Sequence, residues 1–211
     1  MGVVLGINSG FVETAPTTDP EGANHNADAF AWAMKDVAPS GFTTVTEMGW
    51  YRTNSGSAAD FEVGIYDHNI GDDEPEALLS GSGGPESFGT TAGWKVIVGL
   101  NISISEGTTY YVTAQMDENA GSVNYNLDAG EAVDFKTSQT TLIDPWGTST
   151  GSLGRITAIY ALVAAPTGTN MQLQIGDAWK TVDGMQINIG DSWKAVAGAQ
   201  INIGDAWKTI F

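Results

Sequence analysis

The chain ends in one phrase spoken three times. Residues 171–184 read MQLQIGDAWKTVDG, residues 185–198 read MQINIGDSWKAVAG, and residues 199–211 read AQINIGDAWKTIF. The period of 14 residues is too short for helical solenoid families. Each copy has two alternating runs flanking a Gly-Asp pair, the composition of a β-hairpin with a tight bend. A three-residue turn (Gly190, Asp191, Ser192) sets Ile189 opposite Trp193 and Ile187 opposite Ala195, gathering Ile and Trp on one face. A two-residue turn sets Asn188 opposite Trp193 and mixes the faces. Burial of the apolar residues favours the first, and the three-residue turn is the expectation.

A lone hairpin is marginal in water, and three in a row still leave apolar surface to cover. The residues that demand a partner are Ile175, Trp179, Ile187, Ile189, Trp193, Ile201, Ile203 and Trp207. The expectation is that tails of neighbouring copies pack together about a threefold axis. Two alternatives are hairpins folded back on the rest of the chain and a sugar-stacking ladder of Trp179, Trp193 and Trp207.

The remaining residues carry no repeat and read as all-β. Short apolar runs recur between Gly- and Thr-rich stretches, with period-two alternation clearest over Phe61–Asp67. Further strands are expected at 29–34, 43–51, 94–98, 102–104, 109–116, 122–127, 132–136 and 155–163. The best helical candidate, Ala27–Val37, has a mixed face and ends before Pro39, so it too reads as a strand. Eight or more strands without intervening helices exclude parallel βαβ units, and an antiparallel sandwich follows. Residues 1–26 read as an N-terminal arm or edge strand, 27–164 as the sandwich, 165–170 as a linker and 171–211 as the hairpin tail.

With 8 Lys+Arg against 25 Asp+Glu the formal charge is −17. That field repels phosphate backbones and anionic lipid, so neither nucleic acid nor membrane is an expected partner. The absence of cysteine excludes disulfides and thiolate metal sites. The start has no basic segment before an apolar core, so it does not read as a secretory signal. No apolar run approaches the roughly 18 residues of a membrane span.

Catalytic machinery is not visible. With His25 and His68 the only histidines and no cysteine, Cys–His catalysis is impossible and a Ser–His–Asp triad has few ways to form. No phosphate-binding Gly loop and no HExxH sequence occurs, and a non-enzyme is expected. The loop Asp67–Glu74 crowds oxygen ligands, with Asp67, Asn69, Asp72 and Asp73 candidates for Ca²⁺; a solvated acidic loop is the plainer alternative, and no other cofactor is expected. For a glycan, Tyr125 among Asn124, Asn126 and Asp128, and Trp146 in a Pro-Trp-Gly loop, are the candidate stacking and hydrogen-bonding residues. Trp50 and Trp94 lie on strands and default to the core.

Several motifs stand in a recognisable order: Thr44–Tyr51 (TVTEMGWY), Val63–Leu79, Gly93–Leu100 (GWKVIVGL) and Gly107–Val112 (GTTYYV). Over residues 27–164 this order resembles a jelly-roll family found in phage structural proteins and in carbohydrate-binding modules. The IGDxWK tail is similar to short repeats of tailed-bacteriophage virion proteins. The resemblance implies a non-enzymatic virion structural protein, a capsid decoration or head appendage that oligomerises through its tail. The partners implied are further copies of itself and other virion proteins such as the major capsid protein. The setting implied is the virion, assembled in the host cytoplasm. The alternative it implies is a tail-associated or surface adhesin that binds host glycan.

Overall fold

The structure is a computed structural model that describes residues 2–54, 56–118, 120–127 and 132–166, and the backbone of six short strands within 172–209. The chain forms two compact units, Met1–Ala165 and Pro166–Phe211. The first is an all-β sandwich. Its strands in chain order are β1 (Gly10–Val12), β2 (Ala23–Asn26), β3 (Phe30–Val37), β4 (Thr44–Arg52), β5 (Asp60–Asn69), β6 (Glu74–Leu78) and β7 (Gly83–Ser87). They are followed by β8 (Gly93–Ser103), β9 (Thr109–Met116), β10 (Ser122–Leu127), β11 (Val133–Thr137), β12 (Gly151–Leu153), β13 (Arg155–Thr157) and β14 (Ile159–Ala164).

Two seven-stranded sheets face each other. The first runs β1-β14-β4-β10-β13, with β8 on the other side of β4 and β2 on β10; the second runs β12-β11-β3-β9-β5-β6, with β7 sharing the β5 edge. The chain passes from sheet to sheet as it goes: β3 in the second, β4 in the first, β5 back, β8 across, β9 back again. This alternation is that of a β-sandwich whose two sheets are built in turn. It follows from each strand being too apolar on one side to leave uncovered and too short to continue. Within the segment 27–37 that balanced between helix and strand, Phe30–Val37 is strand, bonded on both sides to β9 and β11.

The core between the sheets is aromatic and aliphatic. Trp50 is fully buried and meets Phe61 and Phe88 edge-on, with ring centroids 6.4 and 5.8 Å apart. Met34, Met48, Ile65, Val112 and Val163 fill the space around them. Trp94 is only partly buried, its ring against Tyr51 and Tyr160. Gly49 explains that placement. A Cβ there would stand 2.6 Å from the Lys95 carbonyl oxygen and 2.9 Å from the Tyr160 ring, so only glycine lets Tyr160 lie flat across β4.

Of the arm and the edge strand expected of the first 26 residues, the edge strand is present, as β1 at the end of the first sheet. Val3, Phe11 and Val12 are buried in the sandwich, and β1 pairs in parallel with β14. The Asp36 carboxylate accepts from the Phe11 amide at 2.7 Å. Farther on, Trp94 Nε1 donates to Thr18 O at 3.0 Å and Asn124 Nδ2 donates to Pro20 O, which straps 14–22 onto the sheet. Burial of three large apolar side chains and the closure of these bonds fix the segment in place.

Within Pro166–Phe211 the strands are β15 (Gln172–Ile175), β16 (Ala178–Thr181), β17 (Gln186–Ile189), β18 (Ser192–Ala195), β19 (Gln200–Ile203) and β20 (Ala206–Thr209). Among the described residues they pair as β15-β16, β17-β18 and β19-β20, three two-stranded sheets. The register sets Ile189 opposite Ser192 and Asn188 opposite Trp193, which corrects the expected three-residue turn. Only 190 and 191 stand between the strands. Two-residue connections match the right-handed twist of paired strands, and local backbone geometry outweighs the segregation of side chains on which the longer turn was argued.

Candidate functional site

Four places carried functional expectations, and the fold treats them differently. Trp146 is a core residue, only 1% exposed. The connection 138–150 lies across the outward side of the second sheet, where Ala31, Ala33, Tyr66 and Tyr111 form a second small core around the Trp146 ring. Trp146 meets Tyr66 edge-on at 5.1 Å, and its Nε1 donates to Ser149 Oγ at 2.9 Å. The connection is held by backbone and side chain alike. The Trp146 amide donates to Glu76 O at 2.8 Å, and Tyr66 Oη donates to Ile143 O at 2.6 Å. Burial of its ring, with Asp144 and Glu62 near it, pushes the Tyr66 hydroxyl well above the usual phenol range. A ring so enclosed cannot stack on a sugar, and the glycan role expected of Trp146 is withdrawn.

Tyr125 is half-buried on β10 and belongs to a stacked cluster that sequence inspection missed. His25, from β2, lies 3.9 Å from the Tyr125 ring centroid and 4.4 Å from that of Trp32. The Arg155 guanidinium stands 4.1 Å from the Tyr125 centroid, a cation–π distance. Arg155 Nη1 approaches His25 Nδ1 at 2.6 Å. A guanidinium can only donate, so Nδ1 accepts and the imidazole proton sits on Nε2, facing Thr157 Oγ1 at 3.4 Å. Burial, reinforced by the Arg155 charge, lowers the His25 pKa to about 3. The ring of Tyr125 is therefore already engaged by protein groups, and a sugar would compete with them. Asp128, the third glycan candidate, lies outside the described residues. The signal available in the sequence was thin: one His in a polar run (ANHN) and one of only two arginines.

This cluster makes a pH prediction. The unfolded chain protonates His25 below its ordinary value of 6.5, while the folded chain holds it neutral down to about 3. Its contribution to stability is full above 6.5 and is lost as pH falls across that window, at up to about 1.4 kcal/mol per pH unit. Urea titrations between pH 7 and 4 should show a shallower loss in His25→Gln than in the parent chain. Equal slopes would contradict the assignment.

The acidic loop is engaged internally. The Asp73 carboxylate takes Lys35 Nζ at 2.9 and 3.0 Å and His68 Nε2 at 2.7 Å. Lys35 leads the causes that hold its carboxyl below the usual range. Asn69 Oδ1 accepts from the Gly71 amide at 2.9 Å and its Nδ2 donates to Asp72 Oδ2 at 3.2 Å. Among the described residues no group of three or more His, Asp or Glu side chains converges to hold a metal ion. Asn69, Asp72 and Asp73, three of the four Ca²⁺ candidates, are engaged with protein groups within and beside the β5–β6 turn, while Asp67 stands on β5.

Of the tail residues, the structure gives backbone register only. Ile175 stands opposite Ala178 and Gln174 opposite Trp179; Ile187 opposite Lys194 and Asn188 opposite Trp193; Ile201 opposite Lys208, Asn202 opposite Trp207 and Ile203 opposite Ala206. The two middle pairs of every ladder set an apolar residue against a polar one. No family model, no curated protein and no solved structure matches the chain.

Proposed function

We propose that this chain is a non-enzymatic structural protein of a tailed-bacteriophage virion, a capsid decoration or head appendage whose copies are joined through the C-terminal hairpins. The observation that carries the assembly role is that the tail forms three two-stranded sheets, none paired to a further strand among the described residues. A hairpin of two four-residue strands is below the size that stands alone in water, which takes three or more strands or a packing surface. A segment that repeats this marginal unit three times is suited to gaining its missing strands or cover from other copies.

The virion setting rests on the similarity of the IGDxWK phrase to phage repeats and on the jelly-roll order of motifs in the sandwich. The adhesin alternative loses Trp146 to the core and finds Tyr125 already stacked, so no observation favours it. Imaging of intact particles at side-chain resolution tests the proposal. The sandwich should be found in many symmetry-related copies on the head, with hairpins of neighbouring copies in contact. Purified particles that lack the protein would overturn it.

A further inference from the structure

The longest strand of the sandwich is also an open edge. β8 has eleven residues and pairs with β4 from Gly93–Arg52 to Ser103–Thr44. No strand among the described residues pairs with its other side. The ladder is straight over Gly93–Val98 and shifts register beyond it. There the β6–β7 turn comes close, with a Cβ on Gly81 placed 3.0 Å from Asn101 O. Over the straight part, Val96 is 37% and Val98 68% exposed. Both point away from the core, since Ile97 between them is buried and strand side chains alternate.

Edge strands are ordinarily blunted by charges, proline, a bulge, short length or a cover. β8 carries a single charge, Lys95, and no carboxylate, in a chain of formal charge −17. Two copies of so acidic a chain repel each other, but β8 itself adds no negative charge to that repulsion, and Glu47 of β4, opposite Val98, is hydrogen-bonded by Tyr160. We propose that β8 is a second assembly surface, at which the β8 strands of two copies pair antiparallel across a twofold axis normal to the sheet. The occupant is a second copy because the strand complements itself. Such an axis keeps both copies' outer faces on one side and brings the Val96 and Val98 side chains of each against those of the other. A foreign acidic strand would find one lysine to meet, whereas a like strand finds a matching β-branched pair. This surface is independent of the hairpins.

The test uses the full chain, which lacks cysteine. A twofold axis permits registers centred on Val96 or on Ile97, which oppose 96 to 96 or 96 to 98. Opposed Cα atoms are about 4.5–5.5 Å apart, within disulfide reach. Mild oxidation of the Val96→Cys/Val98→Cys variant should therefore give a covalent dimer as the main product, while Ile70→Cys, on the exposed β5–β6 turn, should not. In hydrogen exchange, β8 amides should gain protection with concentration, and Val98→Glu should move the midpoint about tenfold higher. Dimer no greater than the Ile70→Cys control would overturn the proposal, as would protection without cross-linking, which would put something other than a second β8 on the edge. Both readouts are local to β8, so they stay positive even if the hairpins do not join copies.

Discussion

Trp146→Ala is expected to lower the stability of the sandwich by about 3–5 kcal/mol, the usual cost of emptying a buried tryptophan site. The ring is enclosed by Tyr66, Tyr111, Ala31 and Ala33, and the strands beneath cannot collapse into the cavity without bending the second sheet. The change also strands Ser149 Oγ, which loses the Nε1 donor. More is at stake than one side chain, because Trp146, with Leu142 packed beside it, anchors the connection 138–150 in the second core. Trp146→Phe should recover part of the loss by refilling volume without the hydrogen bond. Urea denaturation followed by near-ultraviolet circular dichroism measures both. An unchanged unfolding midpoint, with a saturable sugar affinity destroyed, would reverse the assignment of Trp146 to the core.

The central strands were legible because their alternation is strong. Phe61–Asp67 alternates at period two and Thr109–Met116 is dense in β-branched and aromatic residues, and they became β5 and β9. Strands with no such pattern escaped notice. β2 is Ala-Asn-His-Asn and β7 is Gly-Gly-Pro-Glu-Ser; each is an edge element recruited by the strand it pairs with, and tertiary pairing overrides propensity there. β1 hides in the same way: Gly-Phe-Val is too short to announce itself, and its partner β14 lies some 150 residues on.

The candidate sites fared worse, for a physical reason. Aromatic side chains in polar loops look like ligand platforms until the loop is folded onto a sheet. Nothing in Asp-Pro-Trp-Gly distinguishes the two, because the distinction lies in Ala31, Ala33 and Tyr66, more than 75 residues away in sequence. Likewise the carboxylates of the β5–β6 turn read as ligands because Lys35, which faces Asp73, comes from β3. The Arg155–His25–Tyr125 stack joins three strands, and no local spacing predicts it.

The tail was legible as hairpins and misread in register. With Asn188 opposite Trp193 and Ile187 opposite Lys194, a hairpin does not collect its apolar residues on a single side. That strengthens the demand for a partner, since covering one side of each ribbon would leave apolar residues on the other. Intertwined hairpins from several copies meet the demand better than docking on one flat surface. Loss of the tail should therefore be the most consequential change to the assembled state while leaving the sandwich folded, since Met1–Ala165 is a compact unit with its own core. The direct measurement is solution mass by sedimentation velocity for the full chain and for the chain lacking 171–211, with melting of the sandwich followed in both. The account predicts a full chain that sediments as a multimer, a trimer by the expected threefold packing, and a truncated chain that loses this association while melting at the parent temperature. An identical oligomeric mass with and without the repeats would contradict it.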